Sequence, residues 1–352
     1  MATKILKVDP VNPEEKYLKK AADIIKGGGV VIIPTETVYG IAADSSNDKT
    51  IQRLSAIKKR PKDKPFSLHI DSKEKLKEFT RDVPVAAYKL IDKFWPGPLT
   101  LILKSKDNGT IGIRMPDDKV ALKIINKASV PVVCPSANIA GNTAPIDFTE
   151  AIKDLDGLVD LAIDAGRTRL GIESTVVDLT VQPLVVLREA AIKKEEIEDV
   201  ISKKIVLFVC TGNSCRSVMA KGLLEKKLNE QGRSDVEVLS AGIMETEGLN
   251  ASADTKEILT REGIDVSAHR SQRITVDMLH KSDMILVMDT MHEEHILKME
   301  PQVKNRLFLL KEFARGDDNS LNIPDPIGRS RDFYEYTFSM IKEAIEKVSR
   351  II

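Results

Sequence analysis

The stretch Ile205-Val206-Leu207-Phe208-Val209-Cys210-Thr211-Gly212-Asn213-Ser214-Cys215-Arg216-Ser217 sets an apolar run directly against a Cys-x5-Arg loop. Ile205–Val209 reads as a buried strand and Val218–Leu228 as a helix, so the loop joins a strand end to a helix start. Backbone N–H groups and the positive helix end converge there on an anion. A free cysteine thiol titrates at about 8.5, so a nucleophilic Cys210 needs its thiolate stabilised. The amides after Cys210, Arg216 and the Ser217 hydroxyl supply that stabilisation. Gly212 allows tight backbone curvature, and Asn213 braces the loop by hydrogen bonds. Arg216 has the planar fork to grip two phosphate oxygens, which a lysine lacks. Cys215 reads either as a reversible disulfide partner of Cys210 or as a small core residue.

Outward from the loop, the second half alternates in a βαβ rhythm. Strands are expected at Val236–Leu239 and Met284–Met288, and helices at Ala253–Arg261 and Phe333–Val348, which predicts a compact parallel sheet. Asp325 lies in the proline-constrained Ile323-Pro324-Asp325-Pro326-Ile327-Gly328. It reads as the acid that protonates a leaving group and then activates water, or as a turn residue. His292 and His295 have metal-ligand spacing on a helix, but Glu293 and Glu294 between them mark a polar surface, and no metal site is expected.

The first half has a different texture. A helix over Glu14–Lys26 stops at three glycines; strands follow at Val30–Ile33, Phe66–Ile70, Leu99–Leu103, Gly112–Arg114, Val130–Cys134, Val159–Ile163 and Thr175–Leu179, with a helix at Ile51–Ile57. Many short strands and few helices predict a mixed sheet. The charged stretch Lys193–Lys204 reads as a connector helix or linker, so the expected domains are 1–200 and 201–352. A chain of 352 residues suits two α/β domains.

Lys plus Arg equals Asp plus Glu, 53 each, which removes any global electrostatic case for coating nucleic acid. No apolar run reaches the roughly 20 residues needed to span a bilayer. Three cysteines, two of them in one reactive loop, predict a reducing compartment, the cytoplasm.

In the first half, Thr35, Thr37 and Tyr39 gather hydroxyls at the end of a strand, suited to orienting a small polar substrate. Lys58, Arg60 and Lys64 form a basic patch for phosphates or a carboxylate, unless it is only a solvated surface. Ser136 with Asn138, and Ser174 with Thr175, offer further donors and acceptors, or cap turns. Trp95 and its flanking prolines suit a core position as well as a ligand contact.

Two resemblances follow from these motifs. Lys203–Arg350 resembles the low-molecular-weight protein phosphatases through Val209–Ser217, Ser240-Ala241-Gly242, Gly263-Ile264-Asp265 with His269-Arg270-Ser271, and Asp325-Pro326. The resemblance implies a three-layer parallel-sheet fold and catalysis without a cofactor. Cys210 is then the nucleophile, Arg216 and the loop Thr211, Gly212, Asn213, Ser214 and Cys215 bind the phosphoryl group, Ser217 tunes the thiolate and Asp325 is the acid and base. Val218 replaces the family's usual proline. Ser214, where tyrosine-directed members carry a bulky aliphatic residue and arginine-directed members a threonine, is closer to the arginine type. Phosphotyrosine, phosphoarginine and a small phosphorylated metabolite all stay open as substrates.

Pro13–Ile192 resembles the YrdC-type threonylcarbamoyl-adenylate synthases. The markers are Pro34–Gly40, Lys58-Lys59-Arg60-Pro61 with Lys64-Pro65, Trp95–Thr100, Arg114-Met115-Pro116, Pro135-Ser136-Ala137-Asn138, Ser174-Thr175-Val176 and Arg188. The resemblance implies a twisted mixed sheet with a concave cleft that joins threonine, bicarbonate and ATP into threonylcarbamoyl-AMP, with Mg²⁺ accompanying the ATP. A separate tRNA threonylcarbamoyl-transferase system then uses the product. Thr35 and Tyr39 would orient threonine; Lys58, Arg60 and Lys64 would bind carboxylate and phosphates; Arg114, Ser136, Asn138, Ser174 and Arg188 would complete the nucleotide cleft. Arg188-Glu189-Ala190 replaces the usual Arg-x-Gly. The alternative is a phosphatase fused to a nucleotide- or RNA-binding module without synthase turnover.

Overall fold

The computed structural model describes residues 3–60, 65–313 and 321–352, and the chain divides into two compact units, Met1–Val200 and Ile201–Ile352. Lys64 lies outside the described residues.

The first unit is built on a ten-stranded mixed sheet. Its order is Lys4–Lys7, Leu161–Asp164, Val31–Ile33, Gly40–Asp44, Val132–Val133, Leu68–His69, Thr110–Arg114, Leu99–Lys104, Thr175–Asp178 and Val185–Arg188. Helix Glu15–Lys26 turns Leu18, Ala21, Ala22 and Ile25 onto the sheet, where they meet Val31, Ile33, Leu161 and Ile163 and the apolar face of helix Lys119–Ala128. Asn47 caps helix Asp48–Lys58 by accepting from the amides of Lys49 and Thr50.

Non-local pairing reshapes several expected elements. Gly40–Asp44 (Gly-Ile-Ala-Ala-Asp) has little strand propensity of its own, yet it is clamped antiparallel between Val31–Ile33 and Val132–Val133. The strands expected over Phe66–Ile70 and Val130–Cys134 shrink to Leu68–His69 and Val132–Val133, two residues each. Within the charged Lys193–Lys204, Lys194–Ser202 is a helix anchored by fully buried Ile197.

The second unit is a four-stranded parallel sheet in the order Val236–Gly242, Lys204–Cys210, Met284–Val287, Leu307–Leu309. The two-residue period of the first strand divides the core. Val206, Phe208 and Cys210 pack with helices Arg216–Glu230, Ala253–Arg261 and Arg331–Ile351. Leu207 and Val209 pack with helices Val276–Lys281 and Thr290–Met299 on the opposite face. The first strand is flanked on one side by the second in sequence and on the other by the third. Its carboxyl end is therefore the switch point where an α/β sheet presents a ligand crevice, and Cys210 is its last residue.

Candidate active sites

Residues 210–216 wrap around that strand end. The left-handed residue is Asn213 (φ +50°), not Gly212. Asn213 is fully buried and held three ways: Nδ2 donates to Ser217 Oγ (2.9 Å), Oδ1 accepts from the Gln272 amide (3.0 Å), and its carbonyl lies 2.7 Å from His269 Nε2. An asparagine tolerates this backbone because its short amide hydrogen-bonds locally. Gly242, at the end of the neighbouring strand, is required by close approach. A Cβ there would lie 2.8 Å from the Thr211 carbonyl oxygen and 3.0 Å from the Asn213 nitrogen.

Cys210 Sγ and Ser217 Oγ are 3.0 Å apart. Ser217 Oγ already accepts from Asn213, so its own proton is free to point at the sulfur. Arg216 is buried at the helix start; Nη1 donates to the Ile323 carbonyl (2.9 Å) and Nη2 to Thr211 Oγ1 (3.1 Å) and to the Asp325 carboxylate. Asp325, about 110 residues away in sequence, is thereby brought to the mouth of the loop. Cys215 faces another way: its Sγ meets Ser252 Oγ (3.1 Å) and Tyr334 OH (3.6 Å), and both Cys210 and Cys215 are free thiols. Ser214 Oγ lies 3.8 Å from that sulfur. Burial pushes the Tyr334 phenol up to about 12.

In the first unit a cleft of about 520 Å³ is lined by Thr35, Tyr39, Arg60, Arg114, Ser136, Ser174 and Arg188, together with His69, Thr100 and Glu173. The hydroxyls and guanidiniums there are tied to one another. Thr35 Oγ1 donates to the Val38 carbonyl (2.7 Å) and lies 2.9 Å from Thr37 Oγ1. Arg188 bonds both the carbonyl and the hydroxyl of Ser174 (2.9 and 3.1 Å) and pairs with Glu173. Ser174 Oγ meets Thr100 Oγ1 at 2.9 Å. Arg60 donates to the Pro65 carbonyl and stacks its guanidinium 5.0 Å from the Phe66 ring centre.

Three of the predicted residues serve as braces. The Tyr39 hydroxyl donates to the Gly166 carbonyl (2.8 Å) and accepts from the Ala165 amide (3.1 Å), and burial raises its phenol above the ordinary range. Lys58 sends its ammonium to the Ser136 carbonyl (2.5 Å) and to Asn138 Oδ1 (3.1 Å). Burial, with the neighbouring Arg60 charge, pushes it down to about 8. Asn138 in turn donates to the Asn142 carbonyl (2.5 Å). These contacts hold the Pro135–Asn142 loop against the end of helix Asp48–Lys58. Ala190 occupies the usual glycine position without a left-handed backbone, its amide bonded to Thr175 Oγ1 (3.1 Å), so alanine fits there.

The motifs did not disclose two buried groups under the cleft. Glu36, 1% exposed, forms a 2.7 Å ion pair with Arg114. His69 is buried beside them, and burial with the Arg114 charge pushes it down to about 3. The only sequence signal for Glu36 was its place inside Pro34–Gly40. Trp95 is a core residue whose indole donates to the Leu99 carbonyl (2.8 Å). Among the described residues no cluster of three or more His, Cys, Asp or Glu forms a metal cage.

A mixed sheet with a polar, arginine-rich cleft and a doubly wound sheet with a thiol at its switch point are separate architectures joined in one polypeptide. The family model described as "Telomere recombination" (Sua5, YciO, YrdC) matches residues 23–190, and that described as "Low molecular weight phosphotyrosine protein phosphatase" matches residues 205–351. The threonylcarbamoyl-AMP synthase of Pyrococcus abyssi is 38% identical over 219 residues, 60% of this chain and 64% of that protein. The chain thus spans less than two thirds of that relative's length. The crystal structure of P. abyssi Sua5 complexed with L-threonine superposes with a TM-score of 0.55 at 30% identity, covering 75% of this chain and 91% of that one. The protein-arginine-phosphatase of Geobacillus stearothermophilus is 36% identical over 144 residues, 41% of this chain and 93% of that protein. The chain belongs to the Sua5/YrdC family in its N-terminal part and to the low-molecular-weight phosphatase family in its C-terminal part.

Proposed function

We propose that the chain is a bifunctional enzyme. Its first unit makes threonylcarbamoyl-AMP from threonine, bicarbonate and ATP for a separate tRNA threonylcarbamoyl-transferase system. Its second hydrolyses a phosphorylated protein side chain through phosphocysteine. The cleft of the first unit supports the first reaction by gathering Arg60, Arg114 and Arg188 with the hydroxyls of Thr35, Ser136 and Ser174 in one lining. Anionic oxygens of a nucleotide or an amino acid meet both cations and hydroxyl donors there. Mg²⁺ enters as the ATP complex, part of the substrate, with Glu173 in the lining. Lys58 and Asn138 act by fixing Ser136, and Tyr39 by fixing the segment after Asp164.

For the second reaction the carrying observation is the convergence of Cys210, Arg216 and Asp325 on one loop mouth. Cys210 sulfur attacks phosphorus; an S–P bond forms as the bond to the leaving oxygen or nitrogen breaks, and Asp325 gives that atom its proton. A water then yields a proton to Asp325 and its oxygen attacks phosphorus, breaking the S–P bond and releasing inorganic phosphate and thiolate. Arg216 leaves Asp325 for the phosphoryl oxygens when substrate enters. Ser214 and the absence of an aromatic residue in Asp325-Pro326-Ile327-Gly328 favour phosphoarginine. A nucleophile that must stay reduced supports a cytoplasmic location. Among the described residues no helix is long and apolar enough to cross a membrane.

The test is pyrophosphate and threonylcarbamoyl-AMP formation by the purified full chain, dependent on both threonine and bicarbonate, alongside hydrolysis of phosphoarginine and phosphotyrosine. Nucleotide or RNA binding with no turnover would replace the synthase reading with that of a binding module.

A further inference from the structure

Arg216 does not rest on the phosphate loop alone. Its Nη2 donates to Thr211 Oγ1 (3.1 Å), and the same oxygen lies 3.0 Å from Nε2 of His292, which is fully buried on helix Thr290–Met299. Guanidinium can only donate, so Thr211 Oγ1 is the acceptor on that side. A hydroxyl that accepts from a cation becomes a better donor, and the nearest acceptor is the imidazole nitrogen. A neutral ring with its proton on Nδ1 would run the hydrogen bonds from Arg216 to Thr211 to His292.

We infer that His292 is a positioning residue for the phosphatase reaction: as a neutral acceptor it fixes Thr211, and Thr211 holds the Arg216 guanidinium at the angle a phosphoryl group requires. The inference rests on the phosphatase reading of this unit. The surroundings agree with a neutral ring. Burial, and then the Arg216 charge, push His292 down to about 4, with His295 acting in the same direction and Asp289 and Asp325 opposing it. Among the described residues Nδ1 has no hydrogen-bond partner, so this tautomer leaves one buried N–H unpaired, a cost that the bond to Thr211 and the packing of the ring offset. A metal-binding role for the His292 and His295 pair does not fit this arrangement, because the Nε2 of His292 is directed into the loop.

The full chain and its His292→Leu, Thr211→Val and doubly substituted variants are titrated with inorganic phosphate by calorimetry, which reads the Arg216 cradle whether or not any substrate is turned over. Each single change is expected to weaken phosphate binding about tenfold, and the double change no further, because both remove one relay. His292→Gln, which keeps an acceptor, should recover most of the affinity at an unchanged melting temperature. Nitrogen-15 spectra of the wild-type imidazole should report the proton on Nδ1. Losses that multiply in the double variant, unchanged phosphate affinity in His292→Leu, or a proton on Nε2 would overturn the assignment. Phosphate binding that behaves as expected in a chain with no phosphatase turnover would instead count against the broader phosphatase reading.

Discussion

Cys210 Sγ and Ser217 Oγ stand 3.0 Å apart across the phosphate loop, with the Ser217 oxygen held from behind by Asn213 Nδ2 at 2.9 Å. The amide leaves the hydroxyl proton directed at sulfur. Ser217→Ala removes a donor to a thiolate, a contact of about 1.5–3 kcal/mol, so turnover should fall roughly tenfold to a hundredfold. Alkylation of Cys210 by iodoacetamide should slow in parallel. Unchanged alkylation would show that Ser217 does not tune the sulfur.

Asp325 is bound to Arg216 in the resting site, and its Oδ1 also accepts from the Ile327 amide (3.1 Å). Asp325→Asn keeps the loop but removes the transferable proton. With para-nitrophenyl phosphate, whose leaving group needs little acid, phosphorylation of the enzyme should survive while hydrolysis of phosphocysteine slows, giving a burst in rapid-quench traces. For a poor leaving group both steps should slow, by about 10²-fold or more. Equal loss on both substrates with no burst would remove Asp325 from the proton path.

Gly242 abuts backbone atoms of residues 211–213, which cannot rotate aside as a side chain would. Gly242→Ala should displace the loop and destabilise the second unit by about 1–3 kcal/mol through overpacking. Phosphatase activity should fall by more than this loss of stability accounts for. Threonylcarbamoyl-AMP formation by the same preparation should be untouched, which separates a loop effect from a preparation that is simply misfolded.

Lys58 is held as a brace with its ammonium pushed down from 10.5 to about 8 by burial and by Arg60. Between those values the unfolded chain keeps the proton that the folded chain has lost. The unfolded state therefore binds more protons, and stability rises with pH across that window. Below pH 8 both states are protonated and the folded state carries the full cost of burial. Lys58→Met should flatten the rise, seen as the wild-type-minus-variant difference in chemical denaturation from pH 8 to 10.5. It should also impair threonylcarbamoyl-AMP formation by loosening Ser136. A difference that stays constant with pH would mean Lys58 is not desolvated as its contacts indicate.

Much of the second unit was legible because its chemistry is contiguous. An apolar strand, a seven-residue loop and a helix adjoin in sequence, so local propensity and patterning already place Cys210 and Arg216 on one anion-binding turn. The strand alternation that divides its core is likewise a local property, readable from Val206 to Cys210. In the first unit the polar motifs could be recognised, but not the use of each atom. Lys58 and Ser136 are 78 residues apart, and Tyr39 and Gly166 are 127 apart. Whether a hydroxyl or ammonium is free for a ligand or committed to a carbonyl depends on such pairings, which nothing adjacent in sequence encodes.

The sequence by itself determined the two-part α/β character, the Cys-x5-Arg turn and part of the polar lining of the first cleft, Thr35, Arg60, Arg114, Ser136, Ser174 and Arg188, because these rest on short-range patterning and residue chemistry. Only the tertiary structure decided the ten-strand order, the strand identity of Gly40–Asp44, the left-handed backbone at Asn213, the need for Gly242 and the contact of His292 with Thr211. Each arises where chain segments distant in sequence approach closely, and the steric and hydrogen-bonding demands of that approach, rather than local preference, select the conformation.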